Sequence, residues 1–143
     1  LNNIGTTKKK MKDFTGSMAA FNRAISIDPN FHLAYNNRGV SQMENNKTED
    51  AKKDFEKALN INPKYAPAAS NLSAIYFKQK NYEKALEFAT KAIAIDKNYA
   101  GAYVNSANAK EMLRDMEGAC SDWKKAGELG ASNGSTYYSS NCQ

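Results

Sequence analysis

The sequence predicts an all-α repeat fold, a solenoid of antiparallel helix hairpins, and three observations carry that expectation. A short segment recurs at one fixed interval: Ala24-Ile25-Ser26-Ile27-Asp28-Pro29, then Ala58-Leu59-Asn60-Ile61-Asn62-Pro63, then Ala92-Ile93-Ala94-Ile95-Asp96-Lys97. Within each copy the apolar residues fall three and four apart, the spacing of an amphipathic helix rather than the alternation of a strand. Each copy holds two such stretches, joined by polar residues.

The elements follow in order. A fourth copy of the marker, Ala126-Gly127-Glu128-Leu129-Gly130-Ala131, keeps the same register with the proline place changed. Phe21, Phe55 and Trp123 stand three residues before Ala24, Ala58 and Ala126, and Ala89 takes that place in the third copy. In the second copy a first helix is predicted from about Phe31 to Asn45, a break at Asn45-Asn46-Lys47-Thr48, and a second helix to about Ile61, stopped by Pro63. Thr48 with Glu49 and Asp50 supplies a capping hydroxyl and early acids where free amides and the positive dipole end want them. The predicted units are 1–31, 32–65, 66–99 and 100–133 within one domain, with a tail at 134–143 reached through a loop Gly130-Ala131-Ser132-Asn133-Gly134. That tail is expected to cover the apolar face of the last hairpin.

Composition fits a folded chain of ordinary character. Of 143 residues, 41% are apolar and 24% charged, and no run of apolar residues is long enough to span a bilayer. No charged-then-apolar leader is visible.

These residues resemble the tetratricopeptide repeat, with Tyr35, Gly39, Ala51, Phe55, Ala58 and Pro63 carrying the pattern in the second copy. Leu72, Tyr76, Tyr82, Ala85 and Ala92 carry it in the third, and Tyr103, Ala107, Ala119, Trp123 and Ala126 in the fourth. Small residues let helices approach and large ones fill the grooves between them. Arg38, Gln42, Ser106 and Lys110 depart from the pattern at places that usually hold apolar or aromatic residues, and Lys97 and Ala131 replace proline. Leu1 falls in the first aromatic place with Ile4-Gly5 following, so the first helix is expected to lack its opening turn.

The resemblance implies a right-handed superhelix whose concave wall is built by the first helices and holds a peptide or partner segment. Its candidate groove residues are Asn3, Asn36, Asn37, Val40, Met43, Asn71, Phe77, Lys78, Asn105 and Asn108. Asn3, Asn37, Asn71 and Asn105 recur once per repeat period, a ladder of carboxamides each with a donor and an acceptor. Such a ladder suits an extended peptide backbone; it equally suits bonds between neighbouring helices. The carboxylate clamp by which some relatives grip acidic chaperone tails is not matched. Asn2, Thr6, Pro67 and Asn71 stand where Lys, Asn, Lys and Arg would serve, and only Asn37 fits.

The net charge of +5 invites an acidic or nucleic-acid partner, with Lys8, Lys9, Lys10 and Lys12 as the densest patch. Those lysines end a predicted first helix, and the other basic residues are interleaved with fifteen acids, which reads as a solvated surface and not a nucleic-acid site. The lone His32 lies in a predicted connector with no spaced acid or nucleophile, and no phosphate loop, metal-ligand spacing or nucleophile elbow occurs. Neither an enzyme nor a cofactor is expected.

Cys120 leans inward on the last second helix and Cys142 lies in the tail, in a segment, Gly118 to Ala126, that looks like the closing unit of tetratricopeptide proteins from Bacteroidetes bacteria. A bridge between them would imply periplasm or cell surface; two buried thiols are compatible with cytoplasm. The function implied is recruitment of a protein or peptide through the groove. The alternative is an assembly module, self-associating through exposed repeat ends or forming part of a larger protein.

Overall fold

The computed structural model describes residues 14–142, and among these eight α-helices and no strand are found. The chain divides into two compact units, Leu1–Ala68 and Ala69–Gln143. The first contains α1 (Phe14–Ile27), α2 (His32–Glu44), α3 (Thr48–Ile61) and the start of α4 (Ala66–Lys78). The second contains the rest of α4, then α5 (Tyr82–Ile95), α6 (Ala100–Met112), α7 (Met116–Glu128) and α8 (Ser132–Asn141).

Two kinds of turn, each recurring with the period of the repeat, make the hairpins. Between first and second helices the chain passes through Asn46, Lys80 and Arg114, at φ of 61°, 63° and 68°. Each closes the same pair of bonds: Arg114 N donates to Glu111 O at 3.0 Å and Asp115 N to Lys110 O at 2.8 Å, which satisfies the last carbonyls of the first helix. Second helices end differently. Asp28, Asn62 and Asp96 each accept from the amide two residues on, at 3.0, 3.1 and 3.0 Å. Helix α5 therefore stops at Ile95 although Lys97 stands in the proline place; the carboxylate turn suffices without the ring.

Three local expectations are corrected. Thr48 does not cap α3; Lys47 holds the N-cap position and makes no side-chain bond. At the same place Asn81 accepts from Lys84 N at 3.2 Å and Asp115 from Gly118 N at 2.9 Å. Lys47→Asp is therefore expected to stabilise the chain by about 0.5–1 kcal/mol, net of the contact of Lys47 Nζ over the Phe14 ring. Urea unfolding followed by circular dichroism would measure this, and a lower midpoint would rule out the cap account. His32 is the first residue of α2 rather than a connector residue; it is half-buried, edge-on to Tyr65 with ring centroids 4.8 Å apart. The expected loop 130–134 is only Gly130 and Ala131, since α8 begins at Ser132.

Packing explains that last change. Gly130 ends α7 at a φ of 99°, and Gly134 lies inside α8, where an added Cβ would sit 2.7 Å from Ala126 Cβ and 2.9 Å from backbone atoms of Gly127 and Trp123. A glycine that reads as loop is thus a close-approach residue between two helices. The core is otherwise alanines with a few large side chains between them: Phe21 and Phe55 in the first unit, Leu72, Ile75 and Trp123 in the second, all fully buried. Gly39 makes room for Phe55, whose Cε1 would lie 2.7 Å from a Cβ there.

Candidate functional site

The first-helix faces are described unit by unit. On α2, Asn36 is buried while Asn37, Val40 and Met43 are half-buried, and both asparagines are engaged in interactions of their own. Asn3 lies outside the described residues. On α4, Asn71 is half-buried and also engaged, Phe77 packs edge-on against Tyr82 at 5.3 Å, and Lys78 is exposed in the last turn.

On α6 two asparagines are fixed by named bonds. Asn105 Nδ2 donates to both the carbonyl oxygen and Oγ of Ser70, each at 3.0 Å. Asn108 Oδ1 accepts from the indole Nε1 of Trp123 at 3.2 Å. The first bond ties α6 to α4 and the second ties it to α7. Those bonds use the amide of one side chain and the oxygen of the other, so Asn105 keeps an acceptor and Asn108 a donor beyond them. Three residues apart, the two lie on one face of the helix, and both are half-buried.

Three of the departures from the repeat pattern are paired with acids. Arg38 Nε and Nη2 donate to the two carboxylate oxygens of Asp54, each at 2.7 Å, and Nη1 donates to Asn22 Oδ1 at 2.8 Å. The hydrogen bond to Asp54, chiefly, raises the Arg38 pKa. In the last hairpin Ser106 Oγ donates to Asp122 Oδ2 at 2.6 Å and Lys110 Nζ lies 2.8 Å from the same oxygen. Asp54 and Asp122 occupy the place of Phe88 in the intervening copy, whose other two places hold Leu72 and Tyr76. A signal was present in the sequence: Arg38 is followed by Asp54 at the same separation at which Ser106 is followed by Asp122.

At the C-terminal end Cys120 and Cys142 form a disulfide, S–S 2.05 Å, packed with Tyr138 against Ala107, Ala119 and Trp123. Tyr137 stacks on Trp123 at 5.5 Å. A shallow cleft of about 360 Å³ between α7 and α8 is lined by Lys124, Gly127, Glu128, Ser135, Tyr138 and Ser139. Among the described residues no group of three or more His, Cys, Asp or Glu is placed to hold a metal ion, and no helix is long and apolar enough to cross a membrane.

Helix hairpins of one register, joined by two repeated turns, define an all-α repeat solenoid. Tetratricopeptide-repeat models match residues 1–31, 32–65 and 66–99, and the chain belongs to the tetratricopeptide-repeat family. The hairpin α6–α7 continues the same register beyond those matches. A Dictyostelium discoideum protein, "Protein STIP1 homolog", is 36% identical over 52 residues, which make up 36% of this chain and 9% of that protein. Among solved structures, MamA is similar with a TM-score of 0.77 at 19% identity, over 95% of this chain and 91% of that one. TTC0263, a thermophilic tetratricopeptide protein of Thermus thermophilus, is similar with a TM-score of 0.80 at 18% identity, over 90% of this chain and 72% of that one. At such identities the likeness is one of fold. Repeats of this family are generally protein-interaction modules and non-catalytic scaffolds.

Proposed function

We propose that the chain is a non-catalytic recruiting module that holds an extended segment of a partner protein along the first-helix faces. The observation that carries this is the pair Asn105 and Asn108. One presents an acceptor and the other a donor, a helical turn apart, and each is held in orientation by a bond to the scaffold. An extended peptide offers an N–H and a C=O at every residue, so two fixed and complementary groups can grip it without reading its side chains. Met112, one helical turn beyond Asn108 on α6, is exposed, as is Lys78 at the same repeat place on α4.

The disulfide supports an oxidising setting, periplasm or cell surface, because such bonds are rare where thiols are kept reduced. The reading is tested by capture from a lysate of the source organism with the native chain and with Lys78→Glu/Met112→Glu, after both are shown equally helical. These positions are chosen over Asn105, whose loss also frees α6 from Ser70. Loss of a partner, at least tenfold by quantitative mass spectrometry, is expected for the variant. Equal capture by both would overturn the first-helix reading.

A further inference from the structure

We infer that α8 is an exchangeable cap, that the Cys120–Cys142 disulfide gates its release, and that its alternative acceptor is α7 of a second copy of this chain. This goes beyond recruitment of a partner and does not depend on it.

The cap stands in the register of a first helix. Gly134 and Tyr137 lie one repeat period after Ala100 and Tyr103 of α6, so the last second helix is covered by what would open another hairpin. Its hold on α7 rests on few side chains: the close approach at Gly134, half-buried Tyr138 against the Trp123 cluster, and the Tyr137 stack. Of its ten residues, Ser-Asn-Gly-Ser-Thr-Tyr-Tyr-Ser-Ser-Asn, only Gly134 is buried, and Tyr137 remains 44% exposed although it stacks on Trp123. A helix this short does not persist alone in water, so it forms only where it docks.

The disulfide adds a covalent attachment to that limited packing. It joins Cys120 on α7 to Cys142, the residue that follows α8. The connector is Leu129-Gly130-Ala131, and nothing lies within 4 Å of a Cβ built at Gly130, so the joint has room to swing once the bond opens. Opening it takes two electrons and two protons from a small dithiol, which leaves as its cyclic disulfide while Cys120 and Cys142 become thiols. The apolar face of Ala119, Trp123 and Ala126 then needs a helix. The surface that fits it is already encoded: α8 of a second copy remakes each contact, and reciprocal exchange requires no new interface.

The test uses the full chain. Size-exclusion chromatography with light scattering is expected to give a monomer at every concentration when oxidised, and with dithiothreitol a species of doubled mass that grows with concentration. Cys142→Ser should show the same dimer without reductant, with helicity retained. Reoxidising a concentrated, reduced mixture of unlabelled and 15N-labelled chains with oxidised glutathione should trap covalent dimers. Peptide mapping should find Cys120 of one isotope joined to Cys142 of the other. A reduced chain that stays monomeric at all concentrations overturns the proposal. Trapped dimers joined only Cys120 to Cys120 or Cys142 to Cys142 overturn it equally.

Discussion

Trp123→Ala is expected to destabilise the protein by about 3–5 kcal/mol, the range for truncating a large aromatic in a packed core. Trp123 is the largest fully buried side chain described, and it packs with Ala107 and Ala119. Three losses coincide at this position. The cavity forfeits transfer and dispersion energy, Asn108 Oδ1 loses its donor, and Tyr137 loses the ring on which it stacks. Trp123→Phe keeps the aromatic body that Phe21 and Phe55 supply in other copies and should lose only about 1–2 kcal/mol. The chain has a single tryptophan, so urea unfolding must be followed by circular dichroism rather than by its fluorescence. A loss below about 1 kcal/mol for the alanine variant would mean that this hairpin is not packed as described.

Arg38→Leu is the second large effect, with an expected loss of about 2–4 kcal/mol. The substitution restores the residue type found at Leu72, so a pattern-based expectation would be a gain. Asp54 decides otherwise. Its side chain is only 8% exposed against 21% for Arg38, so removing the guanidinium leaves a nearly buried carboxylate without its bidentate partner. Because Arg38 keeps some contact with water, the loss is placed below the full penalty for a deeply buried charge. The double variant Arg38→Leu/Asp54→Phe recreates the apolar pair of the intervening copy and should recover at least half of the loss. A double variant no better than the single one would show that the carboxylate is not the source of the penalty. Denaturation midpoints of the native chain and the three variants, including Asp54→Phe alone, complete the cycle.

The fold was legible in the sequence because the same packing problem is solved in each copy. The alanine places return in all four copies, and the aromatic three residues before them and the Asx residue that ends the second helix each return in three, so repetition separates them from chance. What stayed hidden depends on three-dimensional approach. Nothing in the local sequence distinguishes the tight contact at Gly134 from a flexible loop, and Lys80 and Arg114 give no hint of their left-handed backbone. For the first-helix faces, spacing gives candidate positions and not the bonds those side chains make. Spacing put Asn105 and Asn108 on one face, but their bonds to Ser70 and Trp123 come from helices brought together in space. Asp54 and Asp122 stand at the matching separation in the sequence, but a polar residue in an apolar place does not by itself point to a counterion on the following helix.

The polar groups of Arg38 with Asp54, and of Ser106 and Lys110 with Asp122, each join the two helices of a single hairpin. Recombination within this gene, or in the laboratory, therefore has permitted and forbidden seams. A crossover in the connectors at 28–31, 62–65 or 96–99 moves a hairpin together with its own counterion. A crossover at 45–47 or 79–81 joins a first helix to another copy's second helix, setting Arg38 against Phe88 or Leu72 against Asp54. Chimeras of the first kind keep their charge pairs and exchange only amide contacts across the seam, such as Arg38 to Asn22 or Asn105 to Ser70, whereas the second kind inherits a stranded charge. The heritable module is the whole hairpin, and the charge pairs act as its serial number.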